Sequence, residues 1–271
     1  MYNLIRLGGM MFLLCLSTLT ARELYDSTGC SQGKGLFVTI IYDNYQADER
    51  LDTDWGFACL VECAGERMLF DAGREAELYK QNMELLQIDP REIPSLFISH
   101  EHGDHTAGIP WIIQVHPSMK CYLPSTFAAQ LRSRGSLPPN SQGISEPLHL
   151  YGPFYSTGDD FERFNEQGLV IRCGEGGALI TGCGHPGVVA MVEKAEDELG
   201  IEIHTVIGGL HLMSCSKKEL ATISKRLKEL GVKKICPTHC TGDNAIACLK
   251  EAFGEGYIPG GTGREILIQP E

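Results

Sequence analysis

Residues 93–105 read Ile-Pro-Ser-Leu-Phe-Ile-Ser-His-Glu-His-Gly-Asp-His, and the junction after Ser99 decides the fold. The stretch up to Ser99 is short, apolar and rich in strand formers, which predicts a buried strand. It is followed by four potential metal ligands within six residues: His100, His102, Asp104 and His105. On an extended chain, side chains at i and i+2 share a face, whereas on a helix they point about 200° apart. His100 and His102 therefore converge only if the chain stays extended through them. Gly103 permits a tight turn that returns Asp104 and His105 to the same place, while Glu101 points away. A helical H-E-x-x-H site is absent because position 104 is Asp. The bland alternative is a solvated, His-rich turn. Against it, the cluster lies between two apolar segments, and imidazole with carboxylate suits zinc, manganese or iron.

Outward from this point the pattern alternates strand and helix. Upstream, 36–42, 57–62 and 67–70 read as strands, and 75–87 has helical spacing that ends at Asp89-Pro90. Downstream, 109–115 reads as a short helix, 120–123 as a strand and 125–134 as a helix. Residues 135–153 are dense in Gly, Pro, Ser and Asn and are expected to form a long loop covering the site. Strands at 169–173, 178–181, 203–207 and 234–237 then alternate with helices at 188–199 and 217–230. No repeat or linker divides the chain, so residues 36–271 are expected to form a single α/β domain.

The chain has 271 residues, 43% of them hydrophobic, enough for one buried core. Its formal charge of −12 offers no footprint for a phosphate backbone or an anionic membrane, so a small-molecule substrate is favoured over nucleic acid. Residues 1–21 carry Arg6, an apolar run and a small-residue tail. They read as a signal peptide, too short to span a bilayer, followed by an extension over 22–35. Export to the periplasm is the expectation, and a mis-assigned start codon in a cytoplasmic protein is the alternative. Eleven cysteines lie singly, without framework spacing. Cys59/Cys63 and Cys236/Cys240 are C-x3-C pairs rather than zinc knuckles, and read as packing groups.

The H-x-H-x-D-H motif after a strand resembles the metal motif of the metallo-β-lactamase superfamily. Phe70-Asp71-Ala72-Gly73 resembles its strand-end Asp-x-Gly, in which the Asp braces the metal ligands from behind. Residues 54–57 (DWGF), 181–187 (TGCGHPG), 208–212 (GGLHL) and 237–242 (PTHCTG) resemble the branch typified by 7,8-dihydropterin-6-methyl-4-(β-D-ribofuranosyl)aminobenzene-5′-phosphate synthase-like hydrolases. The resemblance implies a four-layer αββα sandwich and two divalent cations, most simply Zn²⁺, with Mn or Fe as alternatives. His100 and His102 would bind one cation, and Asp104, His105 and His239 the other. The family's third-position His and bridging Asp have no direct match. His185 is expected to supply the imidazole, with His149 the weaker candidate, and Cys183 stands where the Asp would. His211 is expected to act as a ligand or to transfer a proton. His116 and His204 have no motif around them and read as structural. Metal-assisted hydrolysis of an ester, lactone or phosphoester is implied, with a cation-bound hydroxide that Asp104 orients.

Two features admit other chemistry. Residues 182–187 spell G-x-G-x-x-G between a strand and a helix, a dinucleotide fingerprint placed late in the chain that leaves the histidines unexplained. The same turn could hold a substrate phosphate on its backbone N–H groups. On the superfamily fold, an iron-dependent redox enzyme and a non-catalytic metal sensor are the competing readings.

Overall fold

The computed structural model describes residues 35–270; the signal-peptide-like segment and nearly all of the extension lie outside the described residues. The first half builds β1 (Leu36–Tyr42), β2 (Ala58–Cys63), β3 (Glu66–Phe70), α1 (Ala76–Leu85), β4 (Ser95–Phe97), α2 (Gly103–Thr106), α3 (Ile109–Val115), β5 (Lys120–Pro124), α4 (Ser125–Ser133) and β6 (Ser141–Ile144). The second half adds β7 (Leu148–Tyr151), β8 (Phe154–Ser156), β9 (Leu169–Cys173), β10 (Gly176–Thr181), α5 (Val188–Leu199), β11 (Ile203–Gly209), α6 (Lys217–Glu229), β12 (Lys234–Thr238), α7 (Asp243–Phe253) and β13 (Glu265–Ile268).

These strands form two sheets, in the orders β13-β1-β2-β3-β4-β5-β6 and β12-β11-β10-β9-β8-β7. Parallel pairing joins β3 to β4 (Leu69 opposite Leu96) and β4 to β5, and likewise β10 to β11 (Ile180 opposite Ile207) and β11 to β12. β13 closes back on β1 in antiparallel register, Leu36 opposite Ile268.

Strand alternation explains the layers. Phe70, Ile180 and Ile207 point between the sheets and pack with Val38, Phe97, Phe154 and Ile171. Their neighbours point outward. Leu69 meets Tyr79 and Met83 of α1, Ile112 of α3 and Phe127 of α4. Leu179 and Val206 meet Val192 of α5, Leu227 of α6 and Leu249 of α7. Three apolar layers between four structural layers give the expected αββα sandwich.

The expected loop at 135–153 is a correction: it contains β6 and β7, which pair with β5 and β8. Both are four-residue edge strands whose side chains are largely solvated, too short for a pattern to stand out from the Gly, Pro, Ser and Asn around them. α7 and β13 were likewise not expected from the sequence. Among the described residues no helix is long and apolar enough to cross a membrane.

Candidate metal centre

The parallel strands of both sheets end at one rim, and that is where the chemistry-bearing residues lie. Asp71 directly follows β3, Ser99 and His100 lie just beyond β4, and Cys183, His211 and His239 follow β10, β11 and β12. No helix forms between β4 and His102; the chain bends at Glu101 and is extended again at His102 (φ −64°, ψ 145°), and His100 Nε2 and His102 Nδ1 come within 3.1 Å. The reversal expected at Gly103 is made by α2 instead, a single helical turn starting there. It carries Asp104 and His105 back to the centre. Glu101 points out and accepts from Gln130 of α4. Gly56 (φ +150°) lets the 54–57 segment close on α2, since a Cβ there would lie 2.5 Å from the Asp104 carbonyl.

Two groups of ligand atoms result, His100–Cys183–His185 and His105–Cys183–His239, each with its atoms within 4.8 Å of one another. Cys183 belongs to both, with its Sγ 3.3 Å from His105 Nε2. Asp104 Oδ2 reaches toward the second group, 3.5 Å from His239 Nε2 and 3.7 Å from His105 Nε2.

Hydrogen bonding fixes the imidazoles in one tautomer. His105 Nδ1 donates to Asp71 Oδ2 (2.7 Å), His185 Nδ1 to Glu166 Oε2 (2.7 Å) and His239 Nδ1 to Asn44 Oδ1 (3.0 Å). The Ser99 hydroxyl donates to Asp71, so it accepts from His100 Nδ1 at 2.9 Å. Four Nε2 lone pairs therefore face the centre. His239 Nε2 is buried without a hydrogen-bond partner, and at 3.5 Å Asp104 is too distant to satisfy it. Converging lone pairs around buried carboxylates fit a divalent cation.

The electrostatics agree with this fit. Burial holds His100 far below the usual imidazole range, and burial followed by the charge of His239 holds His105 at about 3, so both remain neutral, ligand-competent bases. Burial raises Asp104, but His239 and His105 outweigh it and its carboxyl stays below the ordinary range. Burial pushes Asp71 well above its usual value, with Glu166 and Asp104 adding repulsion that the two Ser99 donors only partly offset. Crowded buried carboxylates are relieved by an added positive charge.

The comparisons decide the family. A model of the metallo-β-lactamase superfamily matches residues 56–239. This chain belongs to the metallo-β-lactamase superfamily. It is similar to the 7,8-dihydropterin-6-methyl-4-(β-D-ribofuranosyl)-aminobenzene-5′-phosphate synthase of Methanocaldococcus jannaschii, 31% identical over 249 residues covering 74% of this chain and 85% of that protein. Over a shorter stretch it is similar to the ribonuclease Z of Pyrococcus horikoshii, 33% identical over 93 residues covering 34% of this chain and 22% of that protein. Its fold is similar to that of a crystallised metal-dependent hydrolase of the β-lactamase superfamily, with a TM-score of 0.71 and 22% identity over 86% of this chain and 99% of that one.

Within this metallo-β-lactamase-superfamily chain, the residue that sequence reasoning missed is Glu166. Its wholly buried carboxylate accepts the N–H groups of Cys183 (2.9 Å), Gly184 (2.7 Å) and His185 (2.9 Å) as well as His185 Nδ1. Burial would raise its pKa, but His100, His185 and the Gly184 amide lower it on balance, so it stays a carboxylate. This corrects the expected phosphate cradle at 182–187. The turn does gather N–H groups as an anion site should, and the protein's own carboxylate occupies them.

Other candidates separate cleanly. His149 lies exposed on β7, with Nε2 3.0 Å from the Gly152 carbonyl and its ring on Tyr155, outside the centre. His185 stands in ring contact with His100, His102 and His211 and stacks on Phe164 at 4.3 Å. His211 is exposed at the rim, and its hydrogen bond with the Cys240 thiol raises its pKa. Cys240 also donates to the Cys183 carbonyl at 3.5 Å, so it braces the centre as well as packing. Asp71, His211 and His239 all hold positive φ (54°, 52° and 49°), left-handed backbone at non-glycine residues of one site.

Proposed function

We propose that this protein is a metal-dependent hydrolase of small ester, lactone or phosphoester substrates. His100, His102 and His185 would hold one cation and Asp104, His105 and His239 another, with the Cys183 thiolate between them. The observation that carries this reading is the convergence of fixed Nε2 lone pairs on two ligand groups sharing one thiol. When bound, the divalent cations, zinc in the simplest case, supply Lewis acidity toward water and toward the acyl or phosphoryl oxygen. Asp104, held ionised, would help hold the second cation and orient the water by accepting a hydrogen bond from it. Asp71, Glu166, Ser99 and Asn44 keep the imidazoles aimed. His211, at the open rim 4.6 Å from the His185 ring, would donate a proton to the leaving group. The test is elemental analysis of protein purified without chelator, together with an esterase, lactonase and phosphodiesterase panel. Asp104→Ala and His102→Ala are expected to abolish turnover and lower bound metal while leaving the fold intact. Wild-type activity and metal content in both variants sink the assignment.

A second reading draws on the archaeal relative, whose name is that of a synthase. The same centre would then join two organic substrates. Turnover in ¹⁸O-labelled water separates the two readings: label in the product supports hydrolysis, and a strict requirement for a second organic substrate supports synthesis.

A further inference from the structure

Among the described residues, two pairs of cysteines place thiol against thiol. Cys183 and Cys240 do so inside the metal centre. Cys63 and Cys173 do so at the opposite rim, far from any group the metal centre uses. Cys59, Cys121 and Cys236 are wholly buried thiols whose pKa burial pushes up, and they serve as packing. Cys63 is the last residue of β2 and Cys173 the last of β9, one in each sheet, and each precedes a tight turn. Register sets Cys63, Leu36 and Ile268 side by side on β2, β1 and β13. Facing sheets ordinarily stand about 10 Å apart with side chains from both filling the gap. At this rim one side chain spans it. The Cys63 S–H donates to the Arg172 carbonyl of the facing sheet at 3.8 Å, and the Cys173 S–H donates to the Ile268 carbonyl of the other at 3.9 Å. Sulfurs that touch the opposite backbone and each other have the short approach a disulfide needs.

Reactivity lies with Cys173. It is 9% exposed where Cys63 is 2%, and with Lys234 it lines a narrow cavity of about 10 Å³. That is room for one water-sized molecule, so a small peroxide enters where a bulky disulfide reagent does not. The hydrogen bond from Cys63 holds the Cys173 thiol below its usual range against the effect of burial, with the Leu36 backbone and the Lys234 charge assisting. The thiolate is the nucleophile in thiol oxidation, and a second thiol beside it resolves the product.

We propose that Cys63 and Cys173 form a dithiol site for small peroxides, whose oxidation stitches the two sheets together at the rim opposite the metal centre. The Cys173 sulfur attacks one oxygen of hydrogen peroxide, the O–O bond breaks, and the other oxygen leaves with the thiol proton as water, so that Cys173 becomes a sulfenic acid. The Cys63 sulfur then attacks that of Cys173. An S–S bond forms, the S–O bond breaks, and the hydroxyl leaves with the Cys63 proton as a second water. The protein gives up two electrons and two protons, and the peroxide takes them. In the dithiol form this rim is held by packing alone. The test uses the full chain purified without chelator, treated with one equivalent of hydrogen peroxide, alkylated, digested and mapped by mass spectrometry. A peptide linking Cys63 to Cys173 is expected, together with a raised urea midpoint that reductant reverses and unchanged bound metal. Cys63→Ser is expected to stop at a Cys173 sulfenic acid that dimedone traps. Absence of the linked peptide overturns the proposal, as does peroxide spent on other cysteines while Cys63 and Cys173 are recovered alkylated. None of these readouts depends on turnover, so the hydrolase reading stands or falls separately.

Discussion

Glu166 serves two ends at once: it occupies the N–H groups of the 183–185 turn and fixes the tautomer of His185. Glu166→Gln keeps the shape but sets an NH₂ group against donors. Each buried donor left unpaired costs about 1–3 kcal/mol, and metal ligands that lose such a partner bind about 10–100-fold more weakly. Chelator competition is expected to show that loss of affinity with an unchanged far-UV circular dichroism spectrum; wild-type affinity would reduce Glu166 to a space-filler. Cys183 is shared by both ligand groups, so Cys183→Ala is expected to lower metal content at both positions by elemental analysis. His149→Ala, on the exposed face of β7, is expected to change nothing. The individual ligands were legible because H-x-H-x-D-H concentrates them within one turn of chain. Glu166 was not, because its partners lie 17–19 residues away and nothing beside it in sequence marks an inward carboxylate.

At the scale of elements, the site depends on how closely the ends of β10 and β11 approach. Gly208 sits at φ +120°, and a Cβ there would lie 2.0 Å from the Thr181 carbonyl oxygen. Gly208→Ala is expected to destabilise the fold by about 2 kcal/mol or more through strain and overpacking, read as a lower urea midpoint, and to reduce bound metal because Cys183 and His211 move with those strand ends. Elements with buried faces, such as β1, α3 and α5, fall at the residues their periodicity predicts. β6 and β7 escaped because four residues of a solvated edge strand are too few to establish a period, and the Gly, Pro and Ser of the surrounding 135–153 segment read as loop. α2 escaped for a different reason. One turn of helix is too short to have a period, and its conformation is set by what its side chains must reach.

For the whole molecule, the three apolar clusters contain none of the proposed ligands; Cys183, although buried, lies outside all three. Stripped protein is therefore expected to remain folded, with a lower Tm that metal restores. At a free metal concentration 100 times Kd the stabilisation is about 2.7 kcal/mol, and calorimetry with and without chelator reads it. Loss of all cooperative unfolding on chelation would show that the sandwich cannot stand without its ions.

The ligands come from loops of both sheets: His100 and His105 follow β4, whereas Cys183, His185 and His239 follow β10 and β12. A filled centre therefore acts as a clasp on one edge of a closed book. The spine-side turns, Ala64-Gly65 between β2 and β3 and Gly174-Glu175 between β9 and β10, lie at the opposite rim and remain free to breathe. Amide exchange should slow sharply on metal binding at the clasped edge and little at those turns, so that the reduced protein opens, when it opens, from the end far from its metal.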